Sequence, residues 1–415
     1  TYKGGQSMTR FEAAALLNAC LDRVTEVTDE LQRLLNEFKT ELAVLKGRVD
    51  GLEAKVGELE ATQFSTTTKL KGEATFLLGG VPGLETNDGG NVGNTTFNYD
   101  VKLNFDTSFT GKDLLRTRLR SSNFTNTPFN SNSLFQLSAA DSVDQTNSNV
   151  VIDRLYYQFP VSESLTLTAG AIVRNTEMAW VPSVYDSGIL NFFTVAGTPG
   201  VYNQATGAGV GAQYASKNGF VAGLNYVAQN GDDSETGVFD SDGALNFLAQ
   251  VGYRASNWGV GVGYRYGSQG TRPLSYNGLL GASGALLDGQ ESNSVALNAY
   301  WQPIQSGWVP SVSAGYGYNS VNGATGATDA TNSDSWFVGL QWSDVFVAGN
   351  SAGVAVGQAP SAETAGVSDA TMIEIFYKYQ ITDNISITPA LFYVDNNQRY
   401  QNSSRFGGVI QTKFT

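Results

Sequence analysis

Residues 96–107 read TFNYDVKLNFDT, and their alternation decides the fold. Phe97, Tyr99, Val101, Leu103 and Phe105 form one face of a strand, and Asn98, Asp100, Lys102, Asn104 and Asp106 form the other. One face is lipid-like and the other watery. The same period of two sets Leu165, Leu167, Ala169, Ala171 and Val173 against Ser164, Thr166, Thr168 and Gly170, and Trp336, Val338, Leu340 and Trp342 against Ser335, Gly339 and Gln341. About sixteen segments share it: 69–78, 96–107, 112–121, 150–160, 163–173, 208–215, 219–229, 244–253, 257–267, 291–302, 309–318, 333–342, 352–358, 371–381, 385–395 and 404–414. An even count is what a closed antiparallel outer-membrane barrel requires.

The connections carry as much information as the strands. Ser108–Gly111, Val161–Ser162, Ser216–Asn218, Arg254–Ser256, Pro303–Trp308 and Thr382–Asn384 are tight, and those between them are expected to run to about ten to thirty residues. Short periplasmic turns alternating with long external loops are the mark of such barrels. A soluble sandwich, the competing fold, uses strands of about five or six residues and does not sort its loops this way. No run of eighteen apolar residues exists that could cross as a helix. Only 15% of residues are charged, against a usual value of about 25%.

Upstream of residue 63 the apolar period changes to that of a coiled coil. Positions a (Leu21, Thr28, Leu35, Leu42, Val49, Val56) and d (Leu17, Val24, Leu31, Phe38, Leu45, Leu52, Leu59) alternate by three and four residues. In a parallel bundle Glu41 faces Lys46, Arg48 faces Glu53 and Lys55 faces Glu60, all of opposite sign. Gly47, Gly51 and Gly57 fall outside the seam. The a and d residues do not choose between two and three strands, but Arg48, Val49, Leu52 and Glu53 resemble a trimerisation pattern, so three is preferred. A long helix inside a globular domain is the alternative, opposed by the polar outward positions.

Before the heptads, Thr9-Arg10-Phe11-Glu12 precedes the apolar run 13–17. A helix start with Thr9 as N-cap and Glu12 in a capping box explains two of these residues and leaves Arg10 over. The tetrapeptide resembles the Thr-Arg-x-Glu signature closing an S-layer homology domain, which binds cell-wall polysaccharide. The resulting division is 1–23 wall-binding fragment, 24–62 coiled coil and 63–415 barrel. In this order the parts resemble the cyanobacterial outer-membrane porins, whose barrels are grouped with the OprB carbohydrate-selective porins. That resemblance implies trimers, passive diffusion of small solutes, location in the outer membrane with the N-terminal segment in the periplasm, and attachment to peptidoglycan.

Composition excludes much else. The chain has no histidine and one cysteine, Cys20, so a conventional catalytic triad, a histidine metal site and an internal disulfide are all ruled out. No cofactor is implied and no enzyme activity is expected. Cys20, between Ala19 and Leu21, reads as a buried small apolar residue. The net charge of −13 argues against nucleic acid as a partner. The acidic run Asp232, Asp233, Glu235, Asp240 and Asp242 lacks calcium-loop spacing and reads as a solvated outer loop.

The chemistry of passage belongs to the lumen. Arg116, Arg118 and Arg120 alternate with Leu115, Thr117 and Leu119, which puts the three guanidinium groups on one face, about 6 to 7 Å apart. On the lipid face each would cost about 2 to 4 kcal/mol near the midplane, so they face water. Arg154 and Lys102 share that phase on the neighbouring strands. The third external loop, Arg174–Gly207, is the longest and too apolar to be solvated: Met178, Trp180, Tyr185, Ile189, Phe192 and Phe193 need burial. Inside the barrel is the economical place; packing on a trimer contact or capping the mouth are the alternatives. The expected constriction sets Arg116, Arg118, Arg120, Arg154, Lys102 and Arg174 against the loop carboxylates Glu177 and Asp186, although any wet lumen contains charges. The expected function is diffusion of inorganic ions and small polar solutes. Two alternatives stand beside it: a sugar channel using Trp180, Tyr185 and Tyr156 as stacking surfaces, and a structural membrane-to-wall anchor.

Overall fold

The computed structural model describes residues 10–21, 33, 36, 38–39, 44, 46–53, 55, 67–85, 89–130, 133–140, 146–240, 242–272, 285–323, 332–362, 370–397 and 403–415. The chain divides into two compact units, Thr1–Thr66 and Thr67–Thr415.

In the first unit, α1 spans Arg10–Leu21, and residues 46–53 are helical. Thr9, and with it the expected cap, lies outside the described residues, as does much of the heptad seam. Phe11, Leu16 and Leu17 are exposed. So is Cys20, which corrects the expectation of a buried thiol: residues 11–20 are all exposed.

The second unit is a closed barrel of β1 (Thr68–Gly80), β2 (Thr96–Thr107), β3 (Leu114–Ser122), β4 (Val151–Pro160), β5 (Leu165–Arg174), β6 (Thr206–Ala215), β7 (Phe220–Ala228), β8 (Leu245–Arg254), β9 (Trp258–Gly267), β10 (Glu291–Trp301), β11 (Ser311–Asn322), β12 (Asn332–Ser343), β13 (Ser351–Ala362), β14 (Thr371–Thr382), β15 (Ile385–Asn397) and β16 (Ser403–Phe414). Each strand pairs antiparallel with its sequence neighbours, and β1 closes on β16 from Ala74↔Phe414 to Gly80↔Gly408. Closure leaves no edge strand to be satisfied in lipid. Each expected segment matches one strand; β11 and β13 run on to Asn322 and Ala362, where Val321 still pairs with Ser292 and Ala362 with Ser333.

Connections after even strands are short, now including 344–350, and those after odd strands meet at the other end. The last three of these, 323–331, 363–370 and 398–402, are shorter than the ten residues expected.

Outward side chains such as Phe97, Leu224 and Leu391 are exposed, as a lipid-facing surface must be in the chain alone. The apolar core lies inside. Phe337 on β12, Phe376 on β14 and Phe392 on β15 point inward; Phe129 and Phe135 from the second long loop, 123–150, lie against Phe392, and Tyr185 lies against Phe337 and Phe376. Ile189, Leu190 and Phe193 from the third loop, 175–205, join the same cluster. An inward apolar sector would be unfavourable in a wet lumen, and burial of a large side chain is worth about 1.5–3 kcal/mol, so the loops fold in to cover it.

Candidate pore constriction

The register of β2 on β3 sets Asp106 opposite Arg116 and Lys102 opposite Arg120. Arg116 donates through Nε and Nη2 to Asp106, at 2.8 and 3.0 Å. Arg120 does the same to Asp100, at 2.7 and 3.2 Å. Such fork-on-carboxylate pairs are geometrically specific and stronger than neutral hydrogen bonds. Arg118 makes a third, to Asp153 at 2.6 and 2.7 Å. That pair depends on a bulge: β3 and β4 slip between Arg118 and Leu119, whose partners are Arg154 and Ile152. The residue skipped is Asp153, and the bulge turns it inward beside Arg154. Lys102 bridges Asp100 at 3.0 Å and Glu73 at 3.1 Å, Lys413 reaches Glu73 at 2.8 Å, and Lys71 reaches Asp106 at 3.1 Å. The result is a ladder of alternating charge from β16 through β1 to β4.

The third loop faces the rest of the lumen and is held by inward polar side chains of the far wall. Gln250 on β8 accepts from the Trp180 N–H and donates to its carbonyl, at 3.1 and 3.0 Å. Ser313 on β11 accepts from the Val184 and Tyr185 N–H groups at 2.9 and 3.1 Å. Gln341 on β12 accepts from Asp186 N–H at 2.8 Å. Glu374 on β14 accepts from the Tyr185 hydroxyl at 2.9 Å and the Leu190 N–H at 2.7 Å. The chain then returns as a short helix, Asn191–Thr194; Asn298 donates to the Ala196 carbonyl at 3.0 Å and Ser335 to Gly197 at 2.8 Å. The second loop docks on the third through the bridge Leu137↔Leu190 and the Ser138 N–H to Ile189 carbonyl bond of 2.6 Å.

The sequence-derived residues therefore divide. Arg116, Arg118 and Lys102 stay partly open, with side-chain exposures of 25%, 12% and 18%. Arg120 and Arg154 face inward but are buried, Arg120 donating to the Ala139 carbonyl of the second loop at 2.7 Å, so neither borders the open lumen. Arg174 is also buried, its Nε donating to Thr206 Oγ1 at 3.4 Å and its backbone N–H to Glu177 at 3.2 Å. Glu177 was expected across the pore from the arginines; it accepts from Arg154 Nε at 2.8 Å on the same wall, because the loop turns at Asn175–Met178 before leaving that wall. Asp186 is exposed and sits against β12, eight strands from β4 in the ring of sixteen, and so lies across the barrel. Tyr156 and Tyr185 are buried and unavailable as stacking surfaces, and Trp180 is half-buried against Tyr300, ring centroids 6.3 Å apart. The basic wall expected from the arginines is compensated at every step by Asp100, Asp106 and Asp153. The first two stood on the watery face of β2, while Glu374 could have been found as the one carboxylate on the inward phase of β14.

A sixteen-strand closed barrel with two loops folded into a charged lumen defines a porin-type outer-membrane channel. Residues 26–415 match the family described as carbohydrate-selective porin, OprB family. An uncharacterized protein of Nostoc sp. is 36% identical over 465 aligned positions, covering 100% of this chain and 79% of the relative. Among solved structures, the high-pH structure of Pseudomonas putida OprB shares the fold at a TM-score of 0.57 and 10% identity, with 84% of this chain and 94% of that one covered. The in-vitro-folded trimer form of Vibrio cholerae OmpT gives 0.51 and 9%, covering 84% and 99%. The chain belongs to the OprB family of porins.

Proposed function

We propose that the channel passes inorganic ions and small polar solutes by passive diffusion. The observation that carries this is the fully paired charge ladder facing a loop pinned to the opposite wall, which narrows the lumen while keeping it polar. The main alternative is carbohydrate passage, favoured by the family's description and by arginine–carboxylate pairs able to exchange hydrogen bonds with hydroxyl groups. The burial of Tyr156 and Tyr185 argues against an aromatic sugar slide. Liposome swelling with a series of ions and sugars tests the choice: nitrate should enter faster than disaccharides, and equal rates would defeat the narrow-ion reading.

The same proposal assigns the first unit two tasks. Arg48, Val49, Leu52 and Glu53 would join three chains, a reading supported by the exposure of Val49 and Leu52 at seam positions. Thr9, Arg10 and Glu12 would hold peptidoglycan-linked polysaccharide, tethering the outer membrane from the periplasmic side; the resemblance of that tetrapeptide to a wall-binding signature is the support. A purely structural anchor is the weaker reading, because a barrel of sixteen strands is wider than anchoring needs.

A further inference from the structure

We infer that the pore prefers anions to cations, and that the preference is made by a basic collar in the short-turn half of the barrel. The inference rests on the channel reading above and goes further by naming the sign of the solute. The collar is Lys69 and Lys71 on β1, Lys413 on β16 and Lys378 on β14, within four successive strands of the closed ring. Lys71 and Lys69 share the inward phase of Glu73, which contacts Lys102 and Lys413 at 3.1 and 2.8 Å. Lys378 shares the inward phase of Glu374, which holds the third loop. The side chains of Lys71 and Lys413 are 63% and 38% exposed, so they face water.

Two carboxylates in this half are each shared between two cations: Asp106 between Lys71 and Arg116, Glu73 between Lys102 and Lys413. No ion pair reaches Lys69 or Lys378 among the described residues. The local excess is therefore positive although the whole chain carries −13. In the short turns the exposed acids Glu163, Asp344 and Asp383 are matched by Lys112, Lys217 and Arg254, so they do not cancel the collar; further exposed acids, Glu85, Asp232, Asp233, Glu235, Asp240 and Asp288, stand at the other end on the long connections. At about 0.1 M salt the Debye length is about 10 Å. A strand of 13 residues such as β1 is about 40 Å long at roughly 3.3 Å per residue. The outer acids are thus screened from the collar, whereas each collar lysine acts on an ion passing beside it in the lumen. Ions must pass the collar whichever loop they enter beneath, so its sign decides.

Planar-bilayer recordings of the full-length protein in a KCl gradient test this. The wild-type reversal potential should have the sign of chloride preference near 0.1 M salt and should shrink toward zero at 1 M, where the Debye length is about 3 Å. Replacing Lys69, Lys71, Lys378 and Lys413 with Gln should abolish or invert that potential, and replacing them with Arg should keep it. If the fourfold Gln variant fails to insert, Lys69→Gln with Lys378→Gln should still reduce it. A wild-type channel with potassium preference, or Gln variants with the wild-type potential, would overturn the collar while leaving the channel standing. A wild-type protein that conducts nothing would overturn both.

Discussion

Replacing Glu374 with Ala removes the acceptor for both the Tyr185 hydroxyl and the Leu190 N–H, and Glu374 is itself fully buried. Each buried donor left without a partner costs about 1–3 kcal/mol, so the middle of the third loop should loosen while Gln250 and Ser313 still hold its beginning. Single-channel conductance should rise and larger sugars should swell proteoliposomes; unchanged values for both would show that this carboxylate does not set the bore. Asp113 gives a pH test at the other end of the barrel, in the turn 108–113. It accepts from Ser108 Oγ at 2.8 Å, from Thr110 N–H and hydroxyl at 2.7 Å each, and from the Tyr157 hydroxyl at 2.7 Å. Burial opposes ionisation, but hydrogen bonds from Thr110, Tyr157 and Ser108 outweigh it and hold the carboxyl far below the usual carboxylate range. A lowered folded value means the stabilisation is complete above the unfolded pKa of about 3.9 and is lost as pH falls toward the folded value. Asp113→Asn should therefore lower the heat-denaturation midpoint at neutral pH, with the gap to wild type narrowing below about pH 4. A gap independent of pH would mean that ionisation contributes nothing to this turn.

The bulge in β4 makes an element-level prediction. Asp153→Leu leaves Arg118 inward, 12% exposed and without its carboxylate, a loss of about 3–5 kcal/mol for a broken buried pair. Adding Arg118→Met should recover most of it, since an apolar pair of similar volume escapes the desolvation cost. Urea unfolding of vesicle-inserted protein measures both, and a double variant as unstable as the single one would mean that Asp153 acts through Arg120 or Arg154 instead. The same bulge marks where sequence reasoning stopped. Strict alternation gave every strand and put Arg116, Arg118, Arg120, Arg154 and Lys102 on the inner face, because period two is a local property. It could not give the partners. Pairing Asp106 with Arg116 requires the register between strands, and turning Asp153 inward requires a slip that breaks the alternation. The third loop was legible as a buried loop from its apolar residues. The second carries Phe124, Phe129, Leu134 and Phe135, the same signal, yet its burial depends on an inward apolar sector of β12, β14 and β15 that interrupts an otherwise polar face. Glu177 was misplaced because its position follows from the turn at Asn175–Met178, a backbone feature that charge and hydropathy do not encode.

At the scale of the whole chain the proposed stalk and channel are separate modules. Deleting one heptad, residues 46–52, should shorten the stalk by about 10 Å and leave single-channel conductance unchanged. Loss of conductance would show that the helical segment takes part in forming the pore. The inward burial of the second and third loops also decides what the outside world can touch. Phe129, Phe135, Ile189 and Phe193 of those loops are interior, and among the described residues exposed positions fall on connections such as 229–244, where Gly237 has a φ of +61° and no neighbour within 4 Å of an added Cβ. In the orientation proposed above, an antibody, a phage or a protease arriving from outside meets acidic residues such as Asp232, Asp233 and Glu235, while the buried parts of the second and third loops stay out of that contest.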